Sequence, residues 1–423
     1  MNREILSDGF PPKELNSNYH LTGYSLEVCL CRQAYKVDGR WKFWGGMVLS
    51  IVDGGKGLIA QHTAAAKRTN IEIRYSTPLT GLLVKNNRVI GVKLNDQPVH
   101  SHGVILCAGG FESSPRLRAQ YLGPNWDLAH VRGTPYNTGD ALEILLRDVN
   151  ARFTGNWSGC HSVAWDFNSP LNSGHREITN QFTKSGYPLG IMVNAGGERF
   201  VDEGVDMRNF TYAKFGREIL RQPGSFAFQI WDRKGVEWLR VEEYGDDVVT
   251  KIKAESIESL AKKLASHGLT NPDNFVRTLR EYNEAVEAHR RENPDAKFDP
   301  SVKDSLSTQS SKKRLSLPKS NWALPINEGP FMAVKVVCGV TFTFGGVAVN
   351  PKNAAVISNA TGKDIPGLWA AGEIVGGCFY GNYPVSLYDF KADEGWKWTH
   401  LGCGFGEESR SRCCIENEHA HHG

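Results

Sequence analysis

Two stretches of this chain run a short apolar strand straight into small residues: Val104-Ile-Leu-Cys-Ala108-Gly109-Gly110 and Leu368-Trp-Ala-Ala371-Gly372-Glu373. A strand that ends in alanine or glycine bares its main-chain N–H groups, so a ligand can approach the backbone closely. Glu373 adds a carboxylate able to accept hydrogen bonds from ribose-type hydroxyls. Either stretch alone reads equally well as a tight structural turn. The two together, on either side of a long segment of different texture, point to an α/β domain built around a cofactor and interrupted by an insertion.

The rest of the chain agrees with that plan. From Gly54 to Asp140 helix and strand alternate: 54–68 reads as a helix, Ile71 to Tyr75 as a strand, and Leu79–Val84 with Val89–Leu94 as a hairpin about Lys85-Asn-Asn-Arg88. Between Asn156 and Phe342 the texture turns to polar loops and aromatics, with two amphipathic cover helices at 255–267 and 272–290. Ile257, Leu260, Ala261 and Leu264 share one face of the first; Phe275, Leu279, Tyr282 and Val286 share one face of the second. The α/β texture returns at Thr343.

At about 150 residues per domain, 423 residues make two to three domains. A net charge of +3 excludes a phosphate-backbone binder, and the apolar runs are too short to span a membrane. Nine irregularly spaced cysteines and an N-terminus without an apolar leader predict a reducing, cytoplasmic setting. His419, His421 and His422 beside Cys413 and Cys414 could be read as a soft metal site.

Five further stretches carry a resemblance: Arg32 to Gly46, Val193-Asn-Ala-Gly-Gly-Glu-Arg-Phe-Val-Asp-Glu203 with Arg208-Asn-Phe-Thr-Tyr212, Lys319 to Pro325, Cys338-Gly-Val-Thr-Phe-Thr-Phe-Gly-Gly346, and Ala370 to Pro384. The chain resembles the flavoprotein family of fumarate reductases and 3-ketosteroid dehydrogenases, and within it the FAD-dependent tricarballylate dehydrogenases. The resemblance implies an α/β fold, with a Rossmann-like FAD-binding domain (1–155 and 343–384) interrupted by an α+β capping domain (156–342). It implies FAD as cofactor, a small carboxylate or ketone substrate and a separate electron acceptor. FAD contacts fall on Ala108, Gly109, Gly110, Gly139, Asp140, Ala371, Gly372 and Glu373. Arg208 matches the proton-transferring arginine of fumarate reductases, with a salt bridge to Asp202 or Glu203 as the structural alternative. His161 matches a substrate-binding histidine, and Tyr383 the tyrosine with which ketosteroid dehydrogenases polarise a carbonyl.

The departures limit the resemblance. Phe342 stands where fumarate reductases have a histidine, Tyr383 where they have an arginine, and Thr183–Gly186 where they have a Glu-x-x-Arg relay. Fumarate reduction is therefore disfavoured, with ketosteroid-type dehydrogenation or a redox-inactive remnant as the alternatives to a tricarballylate-type reaction. No Gly-x-Gly-x-x-Gly turn precedes Arg32, so the Rossmann-like domain is expected to be incomplete. After Pro384 the family's glycine-rich helix entry is missing, but codons from Gly395 read one nucleotide later can restore it. The 385–423 tail is thus expected to be out of frame and disordered, which also explains its His/Cys cluster without a metal.

Overall fold

A computed structural model describes residues 54–381 and, before them, the backbone of short strands between residues 19 and 51. Tyr383 and the tail, with its histidine cluster, lie outside the described residues. A helix, α1 (Gly54–Arg68), is followed by the meander β1 (Leu79–Lys85), β2 (Arg88–Leu94) and β3 (Gln97–His100). Asn86 and Asn87 turn the β1–β2 hairpin with φ of 50° and 58°, a conformation asparagine tolerates better than most side chains.

β4 (Val104–Leu106), β5 (His130–Val131) and α2 (Asp140–Val149) come next. The inserted segment supplies β6 (Cys160–Asp166), β7 (Ile191–Val193), α3 (Arg208–Leu220), β8 (Phe226–Trp231), β9 (Lys251–Ala254), α4 (Ile257–Ala265), α5 (Pro272–Glu292) and β10 (Phe331–Thr343). β11 (Ala355–Ile357) and β12 (Asp364–Ala370) follow, and the described chain continues from β12 to residue 381.

The two strand ends singled out in the sequence are neighbours. β12 runs parallel to β4, with Leu368 opposite Val104 and Ala370 opposite Leu106, and Ala371 N–H donates to Leu106 C=O at 3.0 Å. β11 pairs antiparallel with β12 on the far side. The expected strand at Ile71 to Tyr75 does not form; the segment is irregular, with Ile71 60% and Tyr75 75% exposed. A strand is held by its ladder, and among the described residues no strand runs beside this one.

The insertion is organised around β10, thirteen residues long and buried over most of its length. Its first half pairs with β8 and β9, its second half antiparallel with β6 and parallel with β5. His130 and Val131, expected in the first domain, thus join the insertion's sheet. The cover helices pack as their periodicity predicts: α4 begins at a Ser256–Ser259 capping box, and α5 has Pro272 in its first turn with the Asn271 side chain accepting from Asn274 N–H. Phe275, Leu279, Tyr282 and Val286 of α5 are fully enclosed with Leu260 and Leu264 of α4. Each such side chain contributes about 1.5–3 kcal/mol by leaving water.

Among the described residues no helix is long and apolar enough to cross a membrane. No group of three or more metal-ligating side chains occurs among them either.

Candidate functional site

Ala108 to Glu112 leaves β4, Asn137 to Asp140 enters α2, and Ala371 to Glu373 leaves β12; the structure brings these three segments together. Gly109 has a φ of +74°, and a Cβ there would meet the Asn137 side chain. Asn137 donates to Glu112, which is buried. A Cβ on Gly110 would run into both Thr343 Oγ1 and Glu373 Oε1, so glycine is what lets those side chains close on this loop. Gly139 precedes the N-terminus of α2, with exposed Asp140 in the first turn, where the helix dipole favours negative charge.

Thr343, the last residue of β10, ties the insertion to this cradle. Its N–H donates to Glu373 Oε1 at 2.8 Å, and its Oγ1 accepts from Phe111 N–H at 3.3 Å. Burial pushes the Glu112 carboxyl well above its ordinary range, and the neighbouring Glu373 carboxylate pushes it further. Glu373 is itself raised by burial. Glu373, the less enclosed of the two at this glycine-rich junction, suits a ligand that presents hydroxyl donors, as a ribose or ribityl chain does. This acceptor at a glycine-rich strand end therefore fits a flavin dinucleotide on this side.

On either side of Thr343 the character changes. Phe342 is opposite His161 in the ladder and stacks on it, ring centroids 5.3 Å apart and 20° from parallel. Phe344 and Phe379 complete an aromatic wall, with centroids 5.6 Å and 5.7 Å from Phe342. His161 is 1% exposed, and burial, helped by the nearby Arg132 charge, pushes its pKa well below the usual histidine value. The imidazole is neutral at physiological pH. The adjacent Cys160 thiol is pushed up to about 12 by burial, which removes it as a nucleophile.

Arg208 is the first residue of α3 and is half-buried. The carboxylates offered as its structural partners are engaged elsewhere: Glu203 pairs with Arg199 and accepts Met192 N–H at 2.7 Å, while Asp202 accepts from Ser320 and from Gly204 N–H. In the Thr183–Gly186 segment, Lys184 is fully enclosed, donates to Gln181 C=O at 2.7 Å and has Asp166 Oδ2 at 3.4 Å. Burial brings its pKa down to about 8.

Sequence reasoning did not single out Glu112, Arg132, Thr343 or Lys184. A carboxylate two residues beyond a glycine pair was the available signal for Glu112. Arg132 and Thr343 depend on register across β10, and Lys184 on its place beside β6, which spacing does not encode.

The FAD binding domain family matches residues 41–386. A probable fumarate reductase of Shewanella frigidimarina is 26% identical over 329 residues, which are 76% of this chain and 48% of that protein. A 3-oxosteroid 1-dehydrogenase of Mycolicibacterium smegmatis is 25% identical over 400 residues, 85% of this chain and 62% of that one. The structure of the open conformation of a flavocytochrome c3 fumarate reductase superposes with a TM-score of 0.56 at 23% identity, covering 82% of this chain and 54% of the other. That likeness concerns the fold. The chain spans roughly half the length of the curated relatives it matches. Since the family match takes in both strand ends, the Glu112–Glu373 cradle and the whole insertion, the chain belongs to the FAD binding domain family.

Proposed function

We propose that this chain carries the cofactor and substrate sites of an FAD-dependent oxidoreductase that dehydrogenates a carbon–carbon single bond next to a carboxylate, in the manner of a tricarballylate dehydrogenase. The observation that carries this reading is the end of β10. Thr343 engages Glu373 of the cofactor cradle, and its neighbour Phe342 stacks on His161. On this reading, one short piece of strand joins the substrate site to the flavin site.

Ala108 to Gly110, Gly139 with Asp140, and Ala371 to Glu373 would hold FAD, which when bound supplies the acceptor for the hydride leaving the substrate β-carbon. Arg208 handles the proton at the α-carbon, and its guanidinium stabilises the negative charge that develops on the adjacent carboxylate or carbonyl oxygen. Neutral His161 orients substrate as a hydrogen-bonding partner without adding charge. The aromatic wall of Phe342, Phe344 and Phe379 keeps water from the reacting carbons. Electrons then pass to a separate acceptor.

The same wall favours a second reading, a 3-ketosteroid-type dehydrogenase, because stacked aromatic faces suit a flat apolar ring system. Tyr383 would then polarise the ketone. Supplying the purified protein with FAD, a dye acceptor and either tricarballylate or a 3-ketosteroid separates the readings by which substrate reduces the dye. Reduction by neither, with a flavin spectrum present, rejects both.

A further inference from the structure

β5 and β6 both pair with the last residues of β10, next to the aromatic wall. Val131 of β5 is opposite Val340 of β10, and the next residue, Arg132, donates its N–H to Val340 C=O at 2.8 Å. On the other pairing, His161 of β6 is opposite Phe342, but Ser162 is opposite Val340, so Thr341 is bulged out of the β6 ladder. Bulges re-aim side chains. Here Arg132 Nη1 reaches Thr341 Oγ1 at 3.4 Å, and the guanidinium also lies 5.7 Å from the centre of the Trp165 ring. Arg132 is half-buried, and its charge is close enough to His161 to help keep that ring neutral.

A carboxylate held at this end needs a positive charge. His161 does not supply one, and Phe342 is apolar. A guanidinium is protonated at every physiological pH and offers a planar fork matched to a carboxylate. We propose that Arg132 is the cationic anchor for a substrate carboxylate, with Thr341 and His161 as neutral hydrogen-bonding partners beside it. This rests on the proposed dehydrogenase site and adds what would select a carboxylate over a ketone there.

Calorimetric titration of the full chain, supplied with FAD, with tricarballylate and with its uncharged trimethyl ester tests this independently of turnover. Wild type is expected to bind the triacid about tenfold or more tighter than the ester. Arg132→Gln should weaken the triacid by about tenfold or more and leave the ester unchanged, while Arg132→Lys, which keeps the charge without the fork, should recover part of the loss. If Arg132→Gln does not fold, the triacid-to-ester ratio of Arg132→Lys alone decides, an unaltered ratio counting against the anchor. An Arg132→Gln protein that keeps the full preference, or weakens both probes alike, overturns it. Wild type that binds neither probe rejects the dehydrogenase site itself and the anchor with it.

Discussion

His161 and Phe342 face each other across neighbouring strands with their rings stacked at 5.3 Å, and the histidine is closed off from water. An imidazole packed against an apolar ring and facing Arg132 resists a proton, so its folded pKa lies well below 6.5. The unfolded chain binds that proton first on acidification. The site therefore contributes stability above 6.5 that is lost as pH falls below it. The imidazole resonance of His161 should show no titration between about pH 6 and 8; a midpoint within that range contradicts the neutral assignment.

Arg208 opens α3, and the two carboxylates considered as its structural partners are engaged by other groups, Glu203 by Arg199 and Asp202 by Ser320. Arg208→Lys keeps the charge and loses the fork. Turnover of the substrate that reduces the dye should drop about a hundredfold or more, the order seen when one electrostatic donor is removed. Unchanged turnover would take Arg208 out of the proton-handling role.

The parts of this fold that local pattern governs were legible. The hairpin at Lys85–Arg88, the apolar faces of α4 and α5, and the meeting of the Gly109–Gly110 and Ala371–Glu373 strand ends all follow from period or from small residues at a strand end. What distant pairing governs was not. Ile71 to Tyr75 has a strand's composition but lacks a neighbour, and Arg132 reaches the site because His130–Val131 leave their own segment to pair with β10. A bulge between His161 and Ser162 decides where Thr341 points, and nothing in the local sequence marks it.

Gly110→Ala should separate close approach from mere turn geometry. The added methyl meets the buried Thr343 side chain and the Glu373 carboxylate, so a loss of about 1–3 kcal/mol is expected in urea unfolding, together with weaker FAD binding. Gly55→Ala is the control: its Cβ meets nothing within 4 Å on α1, and it should stabilise by roughly 0.5–1 kcal/mol. Equal effects of the two would mean that the cradle is not tightly closed.

Two enclosed lysines set an alkaline trend. Lys319 donates to Pro188 C=O at 2.8 Å and Gly190 C=O at 2.6 Å, and burial brings both Lys319 and Lys184 from 10.5 to about 8. Between those values the folded chain binds fewer protons than the unfolded, so these groups add stability as pH rises from about 8 towards 10.5. Lys319→Met should flatten that rise. At neutral pH it should cost about 1–3 kcal/mol, because two carbonyls lose their donor. A urea midpoint whose pH dependence is the same in both proteins refutes the assignment.

The opposite trend comes from Glu112 and Glu373 at the junction of the two strand ends. Glu112 is buried, accepts from Asn137, and is raised by enclosure and by the Glu373 charge, so it keeps its proton in the folded state well above 4.5. Glu373, whose Oε1 takes Thr343 N–H, is raised less. The folded chain thus holds a proton that the unfolded chain releases near 4.5. The stability this contributes is complete below that pH and is lost as pH rises through the folded value. Glu112→Gln removes the titration while its amide oxygen still accepts from Asn137 and its NH2 replaces the acid proton facing Glu373. The variant should match wild type at low pH and exceed it at neutral pH by about 1 kcal/mol, the order of one such hydrogen bond in an enclosed site. Urea unfolding across the acidic-to-neutral range reads this directly. Parallel pH curves for the two proteins would mean that Glu112 is ionised in the fold and that the two carboxyl groups do not share a proton.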